Sequence, residues 1–330
     1  MMKAAMPNTL NRRFSVAPML NYTDRHNRYL LRLISSHTLL YSEMVTTGAL
    51  LKGKHPHRWL AFHPTERPLA LQLGGSNPQE MAACARLAED YGYDEANINV
   101  GCPSDRVQQG VFGACLMAQP ELVAECVAAM RAVASLPVTV KTRIGIDQQD
   151  SYAELIRFIE TVATAGCQTF IIHARKAWLT GLNPKQNRDI PPLRYDVVYQ
   201  LKQDWPQLEI IINGGITEWP AVMAHLQRVD GVMVGRAVCQ NPYFLAEIDR
   251  NLYQEPQPVK SRNQVVMDYL PYIEQQLMQG TALTTMSRHL LGLFQGQPNA
   301  RQWRRYLSEQ AHKKQAGIEV IEAALQQVMV

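Results

Sequence analysis

Eight short apolar runs, each followed by a stretch of helical periodicity, are the feature that most restricts the fold of this chain. The runs are RFSVAPM (13–19), TLLYSEMV (38–45), PLALQLGG (68–75), EANINVGCP (95–103), PVTVKTRIG (137–145), TFIIHARK (169–176), LEIIINGGI (208–216) and GVMVGRA (231–237). Continuous Val, Ile and Leu, rather than apolar residues alternating with polar ones, indicates parallel strands that are buried on both faces. Eight strand-and-helix units predict a TIM (β/α)8 barrel.

The organisation of the chain changes after the eighth run. A doubly wound sheet is the alternative to a barrel, but no GxGxxG pattern follows the first run. Helix candidates at 77–92 and 119–136 both open with proline, which suits a first helical turn. Beyond the linker NLYQEPQPVKSRNQ (251–264) the pattern is helical to the C-terminus. We therefore predict a barrel domain at 1–257 and a small all-helical domain at 258–330.

Composition excludes several classes of protein. No apolar run approaches the roughly 20 residues that cross a bilayer, and no signal-peptide core precedes the first charges, so we expect a cytoplasmic protein without membrane contact. The six cysteines include no CxxC pair and no zinc-like spacing, so we expect reduced thiols and no metal. A net charge of +4 suits a polyanionic partner only if the basic residues share one face.

Polar residues stand at the C-terminal ends of the runs, where barrel enzymes of this kind assemble their active sites. They are Pro18 with Met19, Glu43, Gln72, Asn99 with Cys102, Lys141 with Arg143, His173 with Arg175, Asn213 with Gly214 and Gly215, and Gly235 with Arg236. A single such residue is usually an ordinary loop residue. Eight coordinated polar ends predict a functional site at this end of the barrel.

Two pairs of these residues suggest the ligand. The glycines of INGGI and MVGRA predict a phosphate site beside Arg236, although tight turns alone would also require glycine. Lys141 and Arg143 alternate along one strand, so both point into the barrel. A cation there needs an anionic or electron-accepting partner, such as a flavin, or an ordinary ion pair, for instance with Glu43.

The motifs together resemble those of the FMN-dependent tRNA-dihydrouridine synthases, and the tail resembles the A subfamily. The resemblance rests on APML.YTDR, LQLGG, NINVGCPSDRV..G.FGACLM, VTVKTRIGID, FIIHARKAWL.GL.PK.NR.IPPL, INGGI, GVMVGR and the tail HLLGLFQGQPNARQWRRYLSE. It covers almost the whole chain in the expected order. It implies reduction of the C5=C6 bond of D-loop uridines in tRNA, at positions 20 and 20a, with FMN reduced by NADPH, or alternatively by NADH.

The resemblance also implies the residues of the site. Those expected to bind FMN are Ala17, Pro18, Met19, Gln72, Lys141, His173, Asn213, Gly214, Gly215, Gly235 and Arg236. Those expected to contact tRNA are Asn99, Lys185, Arg188, Arg301 and Arg304. Further candidates for contact with FMN or substrate are Glu43, Arg143 and Arg175. We expect the protein to be a monomer.

Cys102 is the candidate general acid. Reduction of uracil adds hydride at C6 and a proton at C5, and an unactivated thiol is mostly protonated at neutral pH. Arg106 is close in sequence and is a reason for caution, because a neighbouring cation favours the thiolate. Cys115 lies in an apolar context and is predicted to be a buried thiol beneath the loop.

Two segments join cations to aromatic residues, as expected of a protein that extracts a base from folded RNA. They are RKAWLTGLNPKQNR (175–188) and ARQWRRY (300–306). Trp303 and Tyr306 either stack on RNA or pack in the core, whereas Arg301 and Arg304 are harder to bury and share one helix face.

Two alternative functions remain open from the sequence. One is a flavin oxidoreductase acting on a free pyrimidine such as dihydroorotate, in which the basic helical tail has no role. The other is a non-catalytic tRNA-binding factor, against which the strand-end residues Gln72, Lys141 and His173 argue.

Overall fold

The computed structural model describes residues 10–104, 107–108, 110–256 and 258–328. Its centre is a sheet of eight parallel strands in the order β1-β8-β7-β6-β5-β4-β3-β2. The strands are β1 Phe14–Val16, β2 Leu40–Thr46, β3 Leu69–Gly74, β4 Glu95–Val100, β5 Val138–Arg143, β6 Thr169–His173, β7 Glu209–Asn213 and β8 Gly231–Val234. A parallel bridge between Ser15 and Leu39 joins β1 to the chain just before β2. The sheet is therefore a barrel, as the eight runs predicted.

Helices follow the strands around the barrel. They are α1 Arg25–Ile34, α2 Thr47–Leu51, α3 His57–Leu60, α4 Pro78–Asp90, α5 Pro120–Val133, α6 Tyr152–Thr164, α7 Tyr195–Asp204, α8 Trp219–Leu226, α9 Arg236–Gln240 and α10 Ile248–Tyr253. The helices α4 and α5 begin at proline, as predicted, and the Asn77 side chain accepts a hydrogen bond from the backbone N–H of Glu80 in the first turn of α4. No helix in the described ranges is long and apolar enough to span a bilayer.

The described residues beyond 258 form helices and no strand. They are α11 Arg262–Met278, α12 Leu283–Ser287, α13 Ala300–Gln310 and α14 Ile318–Gln326. These helices bury a core of their own, which also takes in Leu30 from α1. Tyr29 of α1 stacks on Tyr272 of α11 with ring centroids 4.0 Å apart, so aromatic packing joins the helical segment to the barrel.

Charged groups occupy the barrel interior at the N-terminal ends of the strands. Arg12 Nε lies 2.6 Å from Glu95 Oε2, and Arg12 also pairs with Glu209 at 3.0 Å. The hydroxyls of Tyr41 and Thr139 each donate to Glu95 Oε1 at 2.6 Å. Burial alone would lower the pKa of Arg12, but Glu95 and Glu209 outweigh it and raise that pKa above its usual value.

Above this charged floor the barrel interior contains an apolar cluster, with Ala70, Ile171, Ile211 and Met233 packed together. Since successive side chains of a strand alternate between its two faces, β4 points Glu95, Asn97 and Asn99 inward at three successive levels. Polar side chains therefore accompany the apolar cluster from the floor to the mouth, where the strands end.

Loss of the Arg12 guanidinium should strongly destabilise the barrel. The variant Arg12→Met leaves the Glu95 carboxylate buried without its cation, which costs about 3–5 kcal/mol of unfolding free energy. The control Arg157→Met removes a cation from the exposed pair with Glu121, which costs about 0–1 kcal/mol. Urea unfolding of both variants measures the difference, and equal losses would contradict a structural role for the buried pair.

Candidate active site at the barrel mouth

Cys102 lies in a loop that follows β4 directly and is fixed from below. The side-chain oxygen of Asn99 accepts hydrogen bonds from the backbone N–H groups of Gly101, at 3.1 Å, and Cys102, at 2.9 Å. The Cys102 carbonyl accepts from the backbone N–H of Ala114 at 2.9 Å. The thiol is half-buried, with Sγ 3.5 Å from Ser104 Oγ. Arg106, the neighbour that called for caution, lies outside the described residues.

Lys141 at the end of β5 is a half-buried cation with an amide partner. Its Nζ donates to Asn213 Oδ1 at 3.0 Å, and no carboxylate of the described residues lies within ion-pairing distance. Glu43, the alternative partner, instead accepts from the backbone N–H of Asn21 at 2.6 Å. Desolvation, and next the nearby Arg143, lower the pKa of Lys141 to about 7. An anionic ligand would therefore be favoured beside Lys141.

His173 and the two glycines after β7 form one wall of the mouth. Gly214 and Gly215 have φ angles of +115° and +68°, which favour glycine. A Cβ on Gly214 would lie 2.6 Å from His173 Cδ2, and one on Gly215 would lie 2.5 Å from Leu193 Cδ1. Desolvation, then Arg143 and Lys141, lower the pKa of His173 well below its usual value, so its imidazole is neutral at neutral pH.

The ends of β1 and β8 meet beside this wall. The backbone N–H of Ala17 donates to the carbonyl of Val234 at 2.8 Å. A Cβ built on Gly235 would be 3.4 Å from Met19 Sδ, an ordinary contact, so packing alone does not require glycine there. The barrel thus brings residues 17–19 next to residues 235–236.

Arg236 and Arg175 contribute further positive charge near Gly235. Arg236 is 46% exposed and pairs with Asp189 at 2.8 Å. Arg175 donates through Nη1 to the Pro191 carbonyl, while its buried Nε has no hydrogen-bond partner in the described structure. Desolvation lowers the pKa of Arg175, and the nearby Arg236 lowers it further. These groups suit an anion such as a phosphate.

Arg143 links the Cys102 loop to the segment after β6. It is 3% exposed, and its guanidinium donates to the carbonyls of Gly101 (2.9 Å), Lys176 (3.0 Å) and Asn187 (3.1 Å). Burial lowers the pKa of Arg143 to about 10. Arg143 was predicted from the sequence as a candidate contact of FMN or substrate, and in the structure its hydrogen bonds join two loops.

The segment after β6 presents Lys185 and Arg188 to solvent around the 3₁₀ helix Gln186–Arg188. Asn187 holds this turn from inside, since its amide donates to the carbonyls of Trp178 and Leu182 and accepts from the N–H of Trp178. Asn187 was not predicted as a structural residue, because an asparagine among exposed cations carries no signal of burial.

The helix α13 separates its cations from its aromatic residue. Arg301 and Arg304 are exposed on one face. Trp303 is fully buried, and its indole N–H donates to the Leu290 carbonyl at 2.9 Å. Tyr306 is half-buried against the same core. Of the two open interpretations of Trp303, core packing is therefore correct.

The structure also shows the surroundings of Gln72 and Cys115. Gln72 is buried at the end of β3 and bonded to Asn97 and Asn99. Cys115 is half-buried, so the prediction of a buried thiol is met in part, and its Sγ donates to the Phe112 carbonyl. In the part of the chain that the structure describes, no group of three or more His, Cys, Asp or Glu could hold a metal ion.

Comparisons with known proteins agree with the quoted motifs. A family model described as dihydrouridine synthase matches residues 15–329. Relatives named tRNA-dihydrouridine(20/20a) synthase occur in Vibrio cholerae (61% identical, over 96% of this chain and 96% of the relative), Shewanella oneidensis (62%, over 97% and 95%) and Escherichia coli K12 (62%, over 96% and 91%).

A solved structure of 2-naphthoyl-CoA reductase with 2-naphthoyl-CoA aligns with a TM-score of 0.55 and 12% identity. The alignment takes in 77% of this chain, which spans about half (51%) of that chain. At this identity the likeness concerns the barrel fold alone.

The lowered pKa of Lys141 predicts a pH dependence of stability. Between about pH 7 and the ordinary lysine value of 10.5 the unfolded chain binds the extra proton, so stability should rise with pH. From pH 7 to 9, wild type freed of bound small molecules should gain up to about 1.4 kcal/mol per pH unit relative to Lys141→Met. Urea unfolding at each pH measures this difference. Lys54→Met, at an exposed lysine, is the control, and parallel curves for wild type and Lys141→Met would contradict the lowered pKa.

Proposed function

The chain belongs to the dihydrouridine synthase family, and we propose that it reduces selected uridines of tRNA to 5,6-dihydrouridine at the mouth of its barrel. Relatives about 60% identical over nearly the whole chain carry the names of enzymes for positions 20 and 20a, which supports the same two positions here. The observation that carries the proposal is the fixed Cys102 loop beside Lys141, a cation with no carboxylate partner among the described residues.

The mouth of the barrel fits FMN. Lys141 has an amide partner and a lowered pKa. A ligand that carries negative charge on its ring system would therefore stabilise the protonated form of Lys141. The positive φ angles of Gly214 and Gly215 leave a cradle that a Cβ would fill. We propose that FMN would be held by Ala17, Pro18, Met19, Gln72, Lys141, His173, Asn213, Gly214, Gly215, Gly235 and Arg236. NADPH is the proposed reductant, and NADH is the alternative.

The proposed mechanism divides the reduction between a cofactor and a side chain. The chemistry that FMN would supply, when bound, is a hydride for C6 of the uracil. The thiol of Cys102 donates the proton to C5, and the hydrogen bonds of Asn99 and Arg143 to the loop hold this thiol in place. Lys141 and Arg143 favour the negative charge that develops on the uracil before C5 is protonated.

The substrate contacts divide between the mouth and the surface. We propose that Lys185 and Arg188, with Arg301 and Arg304 on α13, bind tRNA phosphates while the uridine leaves its stack. Asn99 uses one amide hydrogen on Gln72, and its second hydrogen is available for a uracil carbonyl. Glu43 and Arg175 stay as further candidate contacts at the rim.

A spectroscopic comparison of wild type with Cys102→Ala tests this function. Purified wild type should show flavin absorbance that NADPH bleaches without oxygen and that unmodified tRNA restores with formation of dihydrouridine. In Cys102→Ala, NADPH should bleach the flavin absorbance as in wild type. The return of that absorbance on addition of tRNA should be at least about a hundredfold slower, because the group that donates a proton to C5 of the uracil is missing. Cys115→Ala, thirteen positions away, is the matched control and should resemble wild type.

Each failure of this experiment has a distinct meaning. A colourless protein that does not take up FMN contradicts the cofactor proposal. If the protein is yellow and its reduced flavin is reoxidised by a free pyrimidine but not by tRNA, the alternative oxidoreductase is favoured. Full activity of Cys102→Ala removes the proton-donor role while leaving the reaction itself in place.

The exposed arginines of α13 predict a salt-dependent contribution to tRNA binding. Arg301→Ala with Arg304→Ala should weaken tRNA binding and reduce the slope of log K against log salt by about 1–2, because two phosphate contacts are lost. FMN content should be unchanged. Filter binding at several salt concentrations measures this slope, with Arg86→Ala plus Arg157→Ala as a control of equal charge on α4 and α6. An equal effect of both pairs would indicate attraction by net charge alone.

A further inference from the structure

The interior of the barrel contains a continuous line of hydrogen bonds that ends at the Cys102 loop. We propose that Asn97, which touches neither loop nor surface, is a positioning residue that orients this loop through Gln72 and Asn99. The inference rests on the proposed role of Cys102 as the proton donor. Asn97 is fully buried in the middle of β4, below the residues assigned to FMN and tRNA.

From the mouth downwards, the line passes through three side-chain amides. Asn99 Oδ1 accepts from the N–H of Cys102, and Asn99 Nδ2 donates to Gln72 Oε1 at 2.8 Å. Gln72 Nε2 then donates to Asn97 Oδ1, also at 2.8 Å. Each amide therefore presents its oxygen towards the mouth and its nitrogen towards the floor.

At the floor, the line ends on the ion pair between Arg12 and Glu95. Asn97 Nδ2 donates to Thr139 Oγ1 at 2.8 Å, and Thr139 Oγ1 donates to Glu95 Oε1 at 2.6 Å. A carboxylate only accepts hydrogen bonds, and a hydroxyl has one hydrogen to donate. Because Thr139 donates to Glu95, it can only accept from Asn97.

This constraint fixes the orientation of every amide above it. The nitrogen of Asn97 must face Thr139, so its oxygen faces Gln72. The nitrogen of Gln72 must then face Asn97 and its oxygen Asn99, which in turn directs the nitrogen of Asn99 to Gln72 and its oxygen to the loop. If one amide were reversed, two N–H groups or two oxygens would meet in a buried space, leaving polar groups unsatisfied at a cost of about 1–3 kcal/mol each. The acceptor that holds the Cys102 N–H is thus determined by a charge at the opposite end of the line.

Burial explains why the protein itself must supply this order. Gln72 is 1% exposed and Asn97 and Glu95 are not exposed at all, so bulk water cannot replace a lost partner. Without Asn97, Gln72 could rotate its amide and present N–H to Asn99, which would reverse in turn and release the loop. The thiol would then lose its fixed position relative to C5 of the uracil, and proton transfer is sensitive to such displacement.

Three variants distinguish orientation from simple packing. Asn97→Leu removes both hydrogen bonds at similar volume. Asn97→Asp keeps an acceptor for Gln72, and in its protonated form keeps a donor for Thr139, so it is the conservative variant. Thr139→Val cuts the line one step lower with little change in shape. The matched control is Thr142→Val, which removes a buried hydroxyl of β5 whose partners among the described residues are the carbonyls of Val100 and Arg143.

The first readout is hydrogen–deuterium exchange at the backbone amides of Gly101 and Cys102, in protein without added substrate. Exchange should accelerate by about tenfold or more in Asn97→Leu, and less in Thr139→Val, because the acceptor on Asn99 is no longer held. Asn97→Asp and Thr142→Val should exchange as wild type does. This readout does not depend on flavin or on activity.

The second readout is the single-turnover reoxidation of NADPH-reduced enzyme by tRNA. Asn97→Leu should slow this step by about tenfold or more, while Asn97→Asp stays within about threefold of wild type. If Asn97→Leu does not fold, hydrogen exchange and single-turnover reoxidation are both measured on Thr139→Val instead.

Two results would overturn the proposal. One is unchanged hydrogen–deuterium exchange at Gly101 and Cys102 in a folded variant, Asn97→Leu or Thr139→Val, that interrupts the line of hydrogen bonds. The other is an equal loss in Asn97→Asp and Asn97→Leu, since the orienting acceptor would then be irrelevant. If wild type is itself indifferent to tRNA, the proposed function fails, yet the exchange experiment still decides whether Asn97 orients the loop.

Discussion

The ion pair between Arg12 and Glu95 is the interaction on which the interior of this barrel depends. Two charges buried at the floor are stable only while they satisfy each other and their neighbours, here the hydroxyls of Tyr41 and Thr139. Because the carboxylate accepts and never donates, it imposes a hydrogen-bond direction on Thr139 and on the amides of Asn97, Gln72 and Asn99 above it. A charge that closes the bottom of the barrel therefore also determines how the mouth is arranged.

The mouth itself has the opposite electrostatic character. Lys141, Arg143 and Arg175 lie close together, burial lowers the pKa of each, and their described partners are amide or carbonyl oxygens rather than carboxylates. Like charges held together in this way cost stability, and an anionic ligand would recover part of it. The floor thus pairs its buried charges with carboxylates, whereas the mouth leaves its cations without carboxylate partners among the described residues.

Much of this arrangement follows from the sequence, and the exceptions have physical causes. The eight strands, the glycines after β7 and the inward direction of Lys141 follow from periodicity and from the rule that barrel sites lie at strand ends. Asn187 could not be identified, because its three hydrogen bonds, to Trp178 and Leu182, arise from the fold of a loop. Trp303 was ambiguous, since an aromatic residue between arginines has the same pattern whether it is buried or exposed.

Residue type and local periodicity are enough to predict the barrel, the helical tail, the family and the set of chemically capable residues. Which partner each polar side chain takes is established by the fold. Asn97 and Asn99 are two residues apart on one strand, yet their different roles arise from partners on β3 and β5. Each of these hydrogen bonds joins residues that are far apart in sequence and become neighbours only when the strands pair. No local sequence pattern contains that information.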